Sequence, residues 1–316
     1  MLYELINMDC FSWMNQREEN SITAIVTDPP YGVKEYSDAE MKKQRSGKGG
    51  IWRIPPAFDG HIRKAVPRFS VINDDPKERK NVYEFFFKWA KLALRILVPG
   101  GHVFIASTPL LSDILSRAMR DAGFERRGEI IRTVSTLRGG DRPKGAETEF
   151  ADMSVIPKGM WEPWGLYRKP ISEKTIAENL RKWNAGALRR EYADQPVGDL
   201  IESTKTPQLE RKIAFHPSLK PQKFIRKLVY SSLPMGKGII LDPFAGSGST
   251  LAAALHFNYS AIGIEKDTEF YSIAKIAIPK LAELYPEQYV LNLQKAKKQE
   301  LEVQQTTYLD SVVNEE

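Results

Sequence analysis

Cysteine is almost absent from these 316 residues: Cys10 stands alone, so no internal disulfide can form. Histidine is nearly as scarce, with four residues, and no cysteine and histidine group has the spacing of a zinc site, so no metal is expected. No apolar run approaches the roughly 20 residues that span a bilayer, and the start, Met1 to Asn7, lacks the basic then apolar layout of a secretory signal. These absences together lead us to expect a cytoplasmic protein with no membrane partner.

What the chain does have is positive charge in particular places. The formal net charge is +6. From Lys34 to Arg68 there are nine Lys or Arg against four Asp or Glu, and from Arg132 to Lys227 nineteen against twelve. The tail from Glu287 to Glu316 is acidic, with three basic and six acidic residues. Positive charge is therefore concentrated where a polyanion could be gripped. Charge runs are also common on solvated faces, so this bias alone does not decide between a partner and water.

The length suits one large α/β unit with an inserted or appended piece. Leu2 to Met8 and Ile22 to Thr27 are short apolar runs that read as buried parallel strands with acids, Asp9 and Asp28, at their carboxyl ends, and the lone Cys10 is read as lying in a strand rather than a nucleophile loop. Val82 to Leu97 carries a helical apolar face that Pro99-Gly100-Gly101 should stop before a strand at His102 to Ser107. A helix at Ser112 to Ala122, a strand at Glu129 to Val134 and a further strand at Met153 to Ile156 follow. Alternation fades from Ser135 to Phe215, apart from one helix near Ser172 to Trp183. It resumes with a helix at Pro221 to Leu233, a strand at Gly238 to Asp242, a helix from Ser249, a strand at Ala261 to Glu265 and a helix from Thr268. Strand and helix alternating in this way predict a doubly wound α/β sheet.

Two segments carry chemistry. The strand Gly238 to Asp242 runs into Phe244-Ala245-Gly246-Ser247-Gly248-Ser249-Thr250, a strand, tight turn and helix start of the kind at which open α/β sheets bind ligands. A P-loop would place Lys where Ser249 stands, so nucleoside triphosphate binding is disfavoured. A dinucleotide fingerprint would place Gly where Leu251 stands, which weakens that reading without eliminating it. Glu265, at the end of the next strand, suits the ribose hydroxyls of either kind of adenosine cofactor. The second segment is Asp28-Pro29-Pro30-Tyr31, in which two prolines hold the backbone extended behind an acid.

Taken together, the two segments resemble those of DNA amino-methyltransferases, and because the Asp-Pro-Pro-Tyr segment precedes the glycine loop, the chain resembles their β group. The resemblance implies a Rossmann-like methyltransferase sheet, circularly permuted, with a small inserted target-recognition region. It divides the chain into a catalytic half, 1–134, with a mobile basic loop at 34–70; a recognition region, 135–215; a cofactor-binding half, 216–294; and a polar tail, 295–316. The cofactor it implies is S-adenosylmethionine, contacted by Asp242 and Phe244 with Ala245, Gly246, Ser247, Gly248 and Thr250, by Glu265, and by Asp9 and Cys10 near the adenine, with Lys266 beside that ring. Asp28 is placed at the same cofactor site. His216-Pro217-Ser218-Leu219-Lys220-Pro221 resembles the segment that closes over the methionine end, so His216 and Lys220 join the set.

By the same resemblance, Asp28, Pro29, Pro30 and Tyr31 hold the target amine. An exocyclic amine conjugated to a base ring is a poor nucleophile, and Asp28 and the Pro29 carbonyl can each accept one of its hydrogens, localising the lone pair. Tyr31 offers a ring for the displaced base to stack on. A base inside a duplex is out of reach, so it must be flipped. Lys34, Lys42, Lys43, Arg45, Lys48, Arg53, Arg138, Arg142 and Lys144 are the candidates for holding the opened DNA, with Arg168, Arg181, Arg189 and Arg190 as further ones. Trp161, Trp164 and Trp183 are read as packing the small lobe rather than stacking on DNA.

Asp at position 28 points to N6-adenine, with N4-cytosine as the nearest alternative. From other classes, a dinucleotide-dependent oxidoreductase would explain the sheet but not Asp28 to Tyr31, and a catalytically silent DNA-binding subunit would explain the charge. The partners that follow are double-stranded DNA and, as options left open by the resemblance, a second copy of the chain and a cognate restriction endonuclease.

Overall fold

The computed structural model describes residues 2–30, 76–136, 143, 145–146, 148–155, 157–191, 195–214 and 219–286. Its centre is an eight-stranded mixed sheet. The strands in chain order are β1 (Tyr3–Asn7), β2 (Ile22–Thr27), β3 (Leu97–Ala106), β4 (Glu125–Thr136), β5 (Gly159–Arg168), β6 (Leu200–Glu202), β7 (Ile239–Asp242) and β8 (Ser260–Glu265). Across the sheet they lie in the order β1-β8-β7-β2-β3-β5-β4-β6. The described helices are α1 (Cys10–Gln16), α2 (Pro76–Ile96), α3 (Ser112–Ala122), α4 (Ile176–Trp183), α5 (Gln208–Ile213), α6 (Gln222–Ser232), α7 (Ser249–His256) and α8 (Thr268–Ala282).

Both faces of the sheet are covered, and the strand sequences show why. In β3, Phe104 and Ala106 point into the core shared with α6, α7 and α8, whereas Val103 and Ile105 point into the core shared with α2 and α3. β7 repeats the split with Ile240 on one side and Leu241 on the other. Every residue of β2 is buried, as expected of a strand covered on both faces. This confirms the doubly wound α/β class.

Topology places the site. β1, β8, β7, β2 and β3 run parallel, so the residues following β1, β2, β7 and β8 gather along one edge. From β7 the chain winds through α7 to β8, away from β2; from β2 it winds toward β3 in the other direction. The sheet therefore changes winding direction between β7 and β2, and a crevice opens at such a switch point.

Four local expectations are corrected. Cys10 is not in a strand: Asp9 caps α1 by accepting from the Ser12 amide at 3.1 Å, and Cys10 opens the helix. Met153 to Val155 form no strand; the strand is β5, which the sequence hid behind Pro163 and Gly165. Pro163 is accommodated because the β3 ladder ends at Ala106↔Trp164, leaving Pro163 one residue past it. β5 also puts part of the interval 135–215 inside the sheet, antiparallel to both β3 and β4. Finally, Pro99-Gly100-Gly101 does not separate helix from strand. It lies within β3 as a bulge, where pairing with β2 jumps from Ile22↔Leu97 to Ala24↔His102, and the Asn179 amide holds it by donating to the Pro99 carbonyl at 2.9 Å.

Candidate active site

At its carboxyl end the seam between β2 and β7 is closed by a side-chain contact. The Thr27 hydroxyl donates to Asp242 Oδ1 at 2.7 Å, and the Phe244 amide donates to the same oxygen at 3.2 Å. Burial pushes the Asp242 carboxyl up to about 6, against the pull of hydrogen bonds from Thr27, Thr250 and the Phe244 amide. Next in the chain after Thr27, Asp28 lines an open cavity that also touches Asp242, Phe244, Gly246, Ser247 and Lys220. The two segments singled out in the sequence therefore meet in one place.

The glycine turn is shaped for a close approach. Gly246 and Gly248 have φ of +52° and +88°, a region that favours glycine. A Cβ on Gly248 would stand 2.4 Å from Ile278 Cγ1, so α8 packs directly against the turn. Glu265 ties the turn from outside: it accepts from the Gly246 amide at 2.7 Å and from the Asp267 amide at 2.8 Å. Burial nonetheless raises the Glu265 carboxyl above its ordinary range.

Behind Asp28 lies a charged cluster. Lys220 Nζ sits 2.8 Å from Asp28 Oδ2 and 3.2 Å from Glu162 Oε2. Glu162 in turn meets Arg132 at 3.4 Å and accepts from the Trp164 indole at 2.7 Å. Burial alone would pull the Lys220 ammonium down, but Asp28 and Glu162 outweigh it and hold the ammonium above the ordinary lysine range. Burial would push Glu162 up, but Lys220 and Arg132 hold it below the ordinary carboxylate range. Thr27, Arg132, Glu162 and Trp164 were not marked in the sequence as site residues. The available signal was Glu162 itself, an acid in the otherwise apolar Trp161-Glu162-Pro163-Trp164.

A family model described as DNA methylase, of the N6/N4 type, matches residues 22–276, most of the chain. The chain belongs to this family. Among its relatives, the Type II methyltransferase M.HindIII of Haemophilus influenzae is 26% identical over 291 residues, covering 85% of this chain and 93% of that protein. The Type II methyltransferase M2.MboI of Moraxella bovis is 22% identical over 273 residues, covering 86% of each. Two solved structures share the fold: M1.HpyAVI in complex with S-adenosylmethionine, with a TM-score of 0.52 at 17% identity over 89% of this chain and all of that one, and the N4-cytosine-specific PvuII methyltransferase, with a TM-score of 0.56 at 14% identity over 90% and 92%.

The methylase is thus a DNA amino-methyltransferase of the β group, a family that uses S-adenosylmethionine. Its own residues fit such a group. The Ser247 hydroxyl is buried beside the cavity and has no hydrogen-bond partner among the described residues, so it is available to a polar ligand. Phe244 is half-buried, its ring 6.3 Å from that of Trp89, so α2 holds it in place. Ala245 and Thr250 also line the cavity.

At the next strand ends, Asp9 follows β1 and Glu265 ends β8, strands that pair up to Asn7↔Glu265. Lys266 is exposed, 3.9 Å from Asp9. Cys10 is buried, and burial with the nearby Asp9 charge raises its thiol to about 12, which makes it inert rather than nucleophilic.

Of the amine segment, Pro29 is buried and Pro30 exposed, and Tyr31 lies outside the described residues. So do the basic loop at 34–70, with Lys34, Lys42, Lys43, Arg45, Lys48 and Arg53; the candidates Arg138, Arg142 and Lys144; His216; and the tail at 295–316. Two of the further DNA candidates have partners within the protein. Arg168 is buried against Glu125 at 2.6 Å, and Arg189 donates to the Tyr259 hydroxyl at 2.7 Å. Trp164 is fully buried and packs edge-on to Phe224, as the packing reading expects, whereas Trp161 is 38% exposed.

Proposed function

We propose that the protein transfers the methyl group of S-adenosylmethionine to the N6 amine of an adenine flipped out of duplex DNA. The observation that carries this reading is the shared cavity: the amine acceptor after β2 and the glycine turn after β7 open onto the same space, across neighbouring strands. When bound, the cofactor supplies a methyl group on a positively charged sulfur, whose carbon–sulfur bonding pair stays with the sulfur as the new carbon–nitrogen bond forms. Asp28 accepts one amine hydrogen and the Pro29 carbonyl the other, so the nitrogen lone pair is turned toward the methyl carbon. The proton that the methylated amine sheds passes by way of Asp28 to solvent. Asp242, Phe244 and the turn at Gly246 to Gly248 hold the cofactor, with Glu265 at its ribose and Asp9 and Lys266 at its adenine. His216 and Lys220 belong to the segment over its methionine end.

Double-stranded DNA is the substrate in this reading, gripped by Lys34 to Arg53 and by Arg138, Arg142 and Lys144, with Tyr31 stacking on the flipped base. The same reading places the protein in the cytoplasm, with a second copy of the chain and a cognate restriction endonuclease as partners. Incubation with tritiated S-adenosylmethionine and mixed-sequence duplex DNA, followed by digestion to nucleosides, tests it. Label in N6-methyladenosine is the expected result. Label in N4-methylcytidine would replace the base and keep the mechanism, and absence of label in DNA would overturn the reading.

A further inference from the structure

Lys220 is a buried cation held between two carboxylates, only one of which belongs to the amine-holding segment. Its distances to Asp28 and Glu162 differ by little, 2.8 and 3.2 Å, so the ammonium is shared. Glu162 is itself pinned by the Arg132 guanidinium and the Trp164 indole, and Arg132 is fixed by the Ser203 hydroxyl at 3.0 Å and the Thr204 carbonyl at 2.9 Å. The anchoring groups sit on β4, β5 and the residues after β6, whereas Asp28 follows β2. Two cations thus face two anions in a buried cluster, and its acceptor end lies on the cavity.

Such an arrangement has a consequence for amine binding. A lone ammonium on Asp28 would spend most of its attraction there and weaken Asp28 as an acceptor for an incoming amine hydrogen, because both compete for the same oxygens in a low-dielectric setting. A second carboxylate draws part of that charge away, leaving Asp28 ionised but still able to accept. We propose that Glu162 is a positioning residue for methyl transfer: anchored by Arg132 and Trp164, it shares Lys220 with Asp28 and so sets how strongly Asp28 holds the target amine. The proposal rests on the reading of Asp28 as the amine acceptor. It requires no contact between Glu162 and substrate, cofactor or the reacting atoms.

The test is a double-variant cycle of single-turnover methyl transfer to duplex DNA by the full-length protein, with Glu162→Gln, Lys220→Met and both together. Gln keeps the size of the side chain and an oxygen for the Trp164 indole, but loses the charge that Lys220 shares. Glu162→Gln is expected to slow transfer roughly tenfold, the equivalent of one pKa unit in acceptor strength, with S-adenosylmethionine affinity measured by calorimetry within about twofold of wild type. In the Lys220→Met background the same change should cost almost nothing, since Glu162 acts through Lys220. Should Glu162→Gln fail to fold, Glu162→Asp, which keeps the charge and withdraws it by one carbon, should show a smaller loss in the same direction. A Glu162 variant that transfers at the wild-type rate overturns the proposal, as does a loss that persists undiminished without Lys220. A wild-type protein that transfers no methyl group to DNA would instead overturn the functional reading and this proposal with it.

Discussion

Thr27 and Asp242, 215 residues apart in the chain, are joined by a 2.7 Å hydrogen bond across the seam between β2 and β7. The bond brings together the ends of the two strands from which the proposed amine acceptor, Asp28, and the glycine turn emerge. It also leaves a buried carboxyl, that of Asp242, lining the cavity.

Asp242 has an ordinary value of 3.8 and is pushed up to about 6 in the folded protein, chiefly by burial. Because the folded value is the higher, the native state binds the extra proton between these two values. Stability linked to this group is present below about pH 4 and is lost as pH rises through about 6. Asp242→Asn removes the titration and keeps an oxygen for Thr27 and the Phe244 amide. Its stability relative to wild type should rise by up to about 3 kcal/mol between roughly pH 4 and pH 7, read from urea unfolding at each pH. The same variant should bind S-adenosylmethionine more weakly.

Asp28→Asn should reduce methyl transfer by roughly a hundredfold or more, the scale associated with losing one preorganised electrostatic contact. DNA binding should be retained. The acceptor oxygen remains, but the negative charge that balances Lys220 and polarises the amine does not. Tritium transfer with parallel calorimetric and gel-shift binding measurements distinguishes loss of chemistry from loss of binding.

Glu265→Ala removes the acceptor of the Gly246 and Asp267 amides. Charged hydrogen bonds of this kind contribute about 1.5–3 kcal/mol each, so S-adenosylmethionine affinity should fall by at least roughly tenfold, through the loosened turn and, on the proposed reading, through the loss of a ribose contact. Calorimetry on the purified variant measures it. An unchanged affinity would remove Glu265 from the cofactor site.

Gly248→Ala should destabilise the protein by about 1–3 kcal/mol. Its φ of +88° is strained for alanine, and the new methyl group would meet Ile278 at 2.4 Å. Chemical denaturation gives the stability change, and cofactor affinity should fall with it because the turn must shift.

Cys10 should resist alkylation in the folded protein at pH 8 and react only on unfolding. It is buried and its thiol is held near 12. Mass spectrometry after brief iodoacetamide treatment, with and without denaturant, checks this. Rapid labelling of the native state would contradict the burial.

The sequence by itself determined the class of the fold and both chemical segments. Apolar runs bounded by acids, the glycine at 123 that caps α3 in the left-handed region, and the Asp242 to Gly248 turn are local signals, because strand burial, helix capping and positive φ act within a few residues. Only the tertiary structure decided what lies behind those segments. β5 was illegible because Pro163 and Gly165 break the local strand pattern, and its place beside β3 comes from pairing that no short window contains. The helical position of Cys10 depended on Asp9 capping rather than extending a strand. The cluster of Arg132, Glu162, Lys220 and Asp28 draws on four separate parts of the chain. Charges so far apart in sequence carry no sign of their partners until the sheet brings them into one buried, low-dielectric place, where each must be matched by another.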